Sequence, residues 1–155
     1  NLGRRRVTND ELCHCFSQLG LSQVSAFLAS GNVIFDHEGQ ISEEYLEEAL
    51  ARQLGYPVPT FLRTGNELQA IAQNRPFGPG NLQVALLRQI PSSTIRTLSL
   101  SCPEDQLTVC QRELYWQPQG GLSESKLKWA EIEAELGPTT IRTHRTMERL
   151  AARFL

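Results

Sequence analysis

The chain has 155 residues, 40% of them apolar and 21% charged, with a net charge of −2 at pH 7. That length supports one ordinary core or two small fused ones, and the near-neutral balance argues against the broad basic face that general nucleic-acid binding requires. No stretch approaches the roughly 20 uninterrupted apolar residues of a membrane-spanning helix.

The elements follow from periodicity and punctuation. Thr8-Asn9-Asp10-Glu11 is a capping box, so a helix starts at Thr8, with Leu12, Cys15, Phe16 and Leu19 as its apolar stripe and Gly20 as its stop. Val24 to Leu28 and Val33 to Phe35 read as strands of a hairpin turning at Ala29-Ser30-Gly31-Asn32. Ser42-Glu43-Glu44 opens a second helix, with Leu46, Ala49, Leu50 and Leu54 inward and Gly55 at its end. Pro57 to Leu62 is the next expected strand, and a second capping box, Thr64 to Glu67, starts another helix.

Asn74-Arg75-Pro76-Phe77-Gly78-Pro79-Gly80-Asn81 is the richest run of breakers and marks the expected boundary between halves. Beyond it, Val84 to Leu87 reads as a strand and Ser92 to Leu100 as a short helix. Leu107 to Cys110 and Leu114 to Trp116 form a hairpin turning at Gln111-Arg112-Glu113. A helix is expected from Ser123 to Leu136, ended by Gly137-Pro138. A strand from Thr139 to Ile141 and a helix capped by Thr143 close the chain.

The middle and the end repeat each other. Thr60-Phe61-Leu62-Arg63-Thr64 runs into Leu68, Ile71 and Ala72. At an offset of about half the chain, Thr139-Thr140-Ile141-Arg142-Thr143 runs into Met147, Leu150 and Ala151. The second half thus reads β-α-β-β-α-β plus a helix, and the first reads the same without its opening strand. The expected class is α+β: two tandem ferredoxin-like halves, 1–76 and 77–155, forming one compact unit, the first half lacking its N-terminal strand in this chain.

Several stretches in this order resemble the bacterial DUF1697 family: Asn1-Leu2-Gly3, Ser30-Gly31-Asn32-Val33-Ile34-Phe35, Arg63-Thr64, Asn74-Arg75-Pro76-Phe77, Arg112-Glu113-Leu114-Tyr115, Ser125-Lys126-Leu127 and Arg142 through Leu150. The resemblance implies a strand ahead of Asn1 of the type Tyr-Val-Ala-Leu-Leu-Arg-Gly-Ile. It carries no activity, since the family is one of unknown function. The final motif departs from the family's usual Arg-Asn-Trp-Arg-Thr, reading here Arg142-Thr143-His144-Arg145-Thr146.

For function, the cationic corners are what the sequence offers. Thirteen Arg stand against two Lys, and the planar guanidinium suits bidentate contact with phosphate or carboxylate. Gly3-Arg4-Arg5-Arg6 ahead of a helix start is a candidate anion contact, the alternative being a solvated basic turn. Arg63 and Arg142 recur at equivalent corners, and Arg145 adds a second cation at a helix start, against the dipole. Ser30 and Asn32 at the hairpin turn, and Ser125-Lys126 near a helix start, complete the candidate ligand set. An N-cap role explains Thr64 and Thr143 on its own.

Adjacent Ser125 and Lys126 diverge on a helix and do not make a nucleophile and base pair. The acidic run Glu43-Glu44, Glu47-Glu48 reads as a solvated helix face. No phosphate loop or dinucleotide fingerprint is present, and Cys13, Cys15, Cys102, Cys110, His14, His37 and His144 lack metal-ligand spacing, so neither cofactor nor metal is expected.

The basic N-terminus leads into no apolar signal core, which points to a cytoplasmic protein. The resulting expectation is a binding module for an anionic, phosphorylated small ligand, as monomer or homodimer and without a membrane partner. The alternatives are a small enzyme with a site between the halves, and a nucleic-acid module. Exposed Tyr115 and Trp116 would favour the latter, but both are expected in the core.

Overall fold

A computed structural model describes residues 7–27, 31–91, 106–118, 133–134 and 136–154. By internal contacts the chain divides into two compact units, 1–62 and 63–155.

In the first unit, α1 (Asn9–Gln18) starts where its capping box places it. Thr8 Oγ1 accepts from the Glu11 amide at 3.1 Å, and Glu11 Oε2 accepts from the Thr8 amide at 3.2 Å. Strands β1 (Ser22–Phe27) and β2 (Asn32–Asp36) pair antiparallel, with Phe27 opposite Asn32 and Gly31 at φ +78° in the connecting turn. Helix α2 (Glu43–Leu54) is capped by Ser42, which accepts from the Tyr45 amide, and ends at Gly55 in the left-handed region. Leu12, Cys15 and Phe16 from α1 meet Leu46 and Leu50 from α2 in the core, and Phe16 packs edge-on to Phe35 at 5.4 Å between ring centroids.

The strand expected over 57–62 does not form. Pro57 and Pro59 have no N–H, so two successive donors toward the same edge are missing. Toward the other edge, the Leu62 amide donates to Glu43 Oε2 at 2.7 Å, and the Thr60 hydroxyl turns to the Val58 carbonyl at 3.0 Å. The segment spends its polar groups on side-chain and local contacts. Glu43, expected in a solvated acidic face, is therefore buried.

In the second unit, α3 (Gly65–Gln73) begins at the Thr64–Glu67 capping box. Strands β3 (Gln83–Leu87), β4 (Gln106–Cys110), β5 (Glu113–Gln117) and β6 (Thr139–Thr143) form an antiparallel sheet in the order β4-β5-β3-β6, and α4 (His144–Ala151) follows β6 directly. β3, central in the sheet, is buried throughout, as its unbroken apolar run anticipates. The register divides the side chains into two faces. Ala85, Leu87, Leu114 and Trp116 pack on one face with Leu107, Val109 and Ile141, while Val84, Glu113, Tyr115 and Arg142 share the other.

The division between units falls at Arg63, upstream of the Asn74–Asn81 stretch expected to separate the halves. Helix α3 belongs with the second unit because α4 holds it: the His144 ring bonds the carbonyl of Ile71, in the last turn of α3. The expected helix over 92–100, and most of that over 123–136, lie outside the described residues. At the end of the latter, the Gly137 amide donates to the Glu133 carbonyl at 2.9 Å, with Gly137 at φ +85°. Among the described residues, no helix is long and apolar enough to cross a membrane.

Candidate functional site

The second unit carries two arginine corners, and the fold treats them oppositely. At the first, the residue ahead of the α3 cap turns inward. Arg63 Nε donates to Glu113 Oε2 at 2.9 Å, and its Nη2 donates to the carbonyls of Leu87 at 2.9 Å and Arg112 at 3.0 Å. The Arg112 carbonyl also accepts from the Leu87 amide. One guanidinium thus ties the end of β3, the β4–β5 turn and the start of β5.

Burial lowers the Arg63 pKa, with Glu113 opposing that shift; burial raises the Glu113 pKa, with Arg63 opposing it. Outside this pair, Arg112 Nη2 donates to Glu67 Oε2 at 3.2 Å. Burial pushes the Glu67 carboxyl up, but the Thr64 amide and Arg112 together hold it below its ordinary value. Arg63 is bound to internal acceptors, in an arrangement that braces the sheet.

At the second corner, Arg142 lies on β6 opposite Val84. Its Nη1 donates to Thr140 Oγ1 at 2.8 Å and to the Ile141 carbonyl at 2.9 Å, and burial lowers its pKa. Thr143 caps α4 by accepting from the Thr146 amide at 3.1 Å. Arg145 is exposed on the first turn of α4, a turn without an acidic residue. His144, between the two arginines in sequence, points inward and is buried.

Arg142 and Arg145 therefore share one corner, three residues apart. Arg63 does not join them: it bonds the carbonyl of Leu87, three residues along β3 from the Val84–Arg142 pair, a separation of about 10 Å. Asn32 closes its hairpin, its Nδ2 donating to the Phe27 carbonyl at 3.1 Å. Arg4, Arg5, Arg6, Ser30, Ser125 and Lys126 lie outside the described residues. Tyr115 and Trp116 are buried in the sheet, and burial raises the Tyr115 hydroxyl to about 12 against a hydrogen bond from Asn74.

Glu113, Glu43 and Arg75 are not among the site candidates that the sequence offers. The sequence places Glu113 in the hairpin turn with Gln111 and Arg112, whereas the structure makes it the first residue of β5, buried where an acid needs a cation.

Helices joined to two antiparallel sheets define a mixed α/β protein. The family model described as "Protein of unknown function (DUF1697)" matches residues 1–115, and the chain belongs to that family. It is similar in structure to the conserved bacterial protein SP0830 from Streptococcus pneumoniae, with a TM-score of 0.68 and 19% identity, over 100% of this chain and 93% of that one. At that identity the likeness is one of fold. No curated protein matches the chain.

Proposed function

We propose that this protein is a binding module for an anionic, phosphorylated small ligand, and that the Arg142–Arg145 corner is its contact. The observation that carries this reading is the exposed guanidinium of Arg145 on the first turn of α4, with no acid in that turn. The positive end of the helix already favours an anion, and a cation placed there works against the isolated helix. A bound anion removes that conflict. Arg142, fixed by Thr140 Oγ1 and the Ile141 carbonyl, adds a guanidinium whose direction is set before binding.

We further infer that the second unit is a ferredoxin-like half and that the first repeats it. In support, the second unit's first strand lies inside its antiparallel sheet, flanked by the third and the fourth. The nucleic-acid alternative loses its stacking platform with Tyr115 and Trp116 in the core. The test is calorimetric titration of the full chain with inorganic phosphate, pyrophosphate and adenosine monophosphate. Saturable binding to one of them that weakens at least tenfold in Arg145→Ala supports the proposal. Binding that is absent, or indifferent to Arg145, overturns it.

A further inference from the structure

His144 is the first residue of α4, and its side chain is 2% exposed. Its Nε2 lies 3.0 Å from the Ile71 carbonyl. A carbonyl only accepts, so Nε2 carries a hydrogen. Its Nδ1 faces two groups of opposite charge, Arg75 Nη1 at 3.0 Å and Glu148 Oε1 at 3.3 Å. With Nε2 protonated, the neutral ring offers Nδ1 as an acceptor, which suits the guanidinium and not the carboxylate. Adding a proton reverses both preferences.

We propose that His144 is a proton-operated selector, holding Arg75 when neutral and Glu148 when charged. The groups around the ring settle what moves. Helix α3 contributes the Ile71 carbonyl, which stays bonded in both states. The turn after α3 contributes Arg75, and α4 itself contributes Glu148. Arg75 and Glu148 are 36% and 49% exposed, so water receives whichever is released.

Arg75 also donates from Nη2 to the Gly80 carbonyl at 3.4 Å, and so ties the 75–80 turn to the α3–α4 pair. A cationic ring repels that guanidinium at short range and takes up Glu148, which stands 3.9 Å from Arg75 Nη1. Protonation therefore frees the 75–80 turn while α3 and α4 stay joined through Ile71.

The test is a pH titration of the full chain followed by nitrogen resonances of the imidazoles, with the His144 signals identified as those missing from His144→Gln. Amide-exchange protection in the 75–80 turn is measured in parallel at Arg75, Phe77, Gly78 and Gly80, the residues there that carry an amide hydrogen. The expected neutral form has hydrogen on Nε2 and none on Nδ1. Acidification should protonate Nδ1 and reduce protection in the turn several-fold.

Glu148→Gln should move the transition to lower pH, because the charged ring loses its carboxylate. Arg75→Met should move it to higher pH and abolish the pH dependence of protection. A neutral form with hydrogen on Nδ1, a transition unmoved by both variants, or protection in 75–80 that ignores pH overturns the selector.

Discussion

Arg63 Nε donates to Glu113 Oε2 at 2.9 Å, and the two side chains are only 2% and 8% exposed. A pair so far from water has a desolvation cost comparable to its attraction, and what tips the balance is full satisfaction of the donors. Arg63 Nη2 adds bonds to the carbonyls of Leu87 and Arg112, so the guanidinium reaches three internal acceptors.

Removing one partner strands the other charge. Arg63→Ala should cost about 3–5 kcal/mol in urea unfolding. The double variant Arg63→Met with Glu113→Leu should cost clearly less than Arg63→Ala alone, because it leaves no buried charge behind. Strictly additive losses would mean that the pair acts through shape and not through charge.

Acid should act on this region in two directions. Glu67 is held below its ordinary value, so its contribution is present above the unfolded carboxylate range and is lost as pH falls through its depressed folded value. Glu113 is raised, so its charged form weighs against folding as pH rises through its elevated value, and that penalty fades in acid. Glu67→Gln should therefore flatten the decline of stability below about pH 4.5, measured as thermal midpoint against pH. Glu113→Gln should leave that acid decline in place. The same decline in Glu67→Gln as in the parent would refute the assignment.

The turn between β4 and β5 consists of Gln111 and Arg112, with Gln111 at φ +56°. That conformation is strained for any residue with a Cβ and most strained for a branched one. Gln111→Gly should stabilise by about 0.5–1 kcal/mol, whereas Gln111→Val should destabilise by about 1–2 kcal/mol. Chemical denaturation of the two variants reads the opposite signs directly, and equal effects would place the strain elsewhere.

What the sequence disclosed and what it withheld separate by distance along the chain. The boxes Thr8–Glu11 and Thr64–Glu67 span three residues, so their chemistry is complete within one helical turn and visible as spacing. The β4–β5 hairpin and the caps at Ser42 and Thr143 were legible for the same reason. Arg63 and Glu113 stand 50 residues apart, and His144 and Ile71 stand 73 apart. Nothing in either neighbourhood names the partner. The recurring Arg-Thr corners were thus read as equivalent. Only the tertiary fold distinguishes Arg63, drawn in by a buried carboxylate, from Arg142 and Arg145 at the start of α4.

The 57–62 segment shows the same limit, and it yields a test. Its β-branched and apolar residues suggested a strand, but the Leu62 amide reaches Glu43 Oε2 at 2.7 Å, 19 residues back in the chain. Glu43 also sits in the first turn of α2, where any acid gains from the helix dipole; Glu44 next to it is exposed and serves as the control for that gain. Glu43→Ala should cost about 1–3 kcal/mol, the penalty of depriving a partly buried donor of its acceptor. Glu43→Gln, which keeps an oxygen in place, should cost less than half as much, and Glu44→Ala should stay within about 0.5 kcal/mol of the parent. Equal losses at Glu43→Ala and Glu44→Ala would assign the whole effect to the dipole and leave the Leu62 bond without measurable weight.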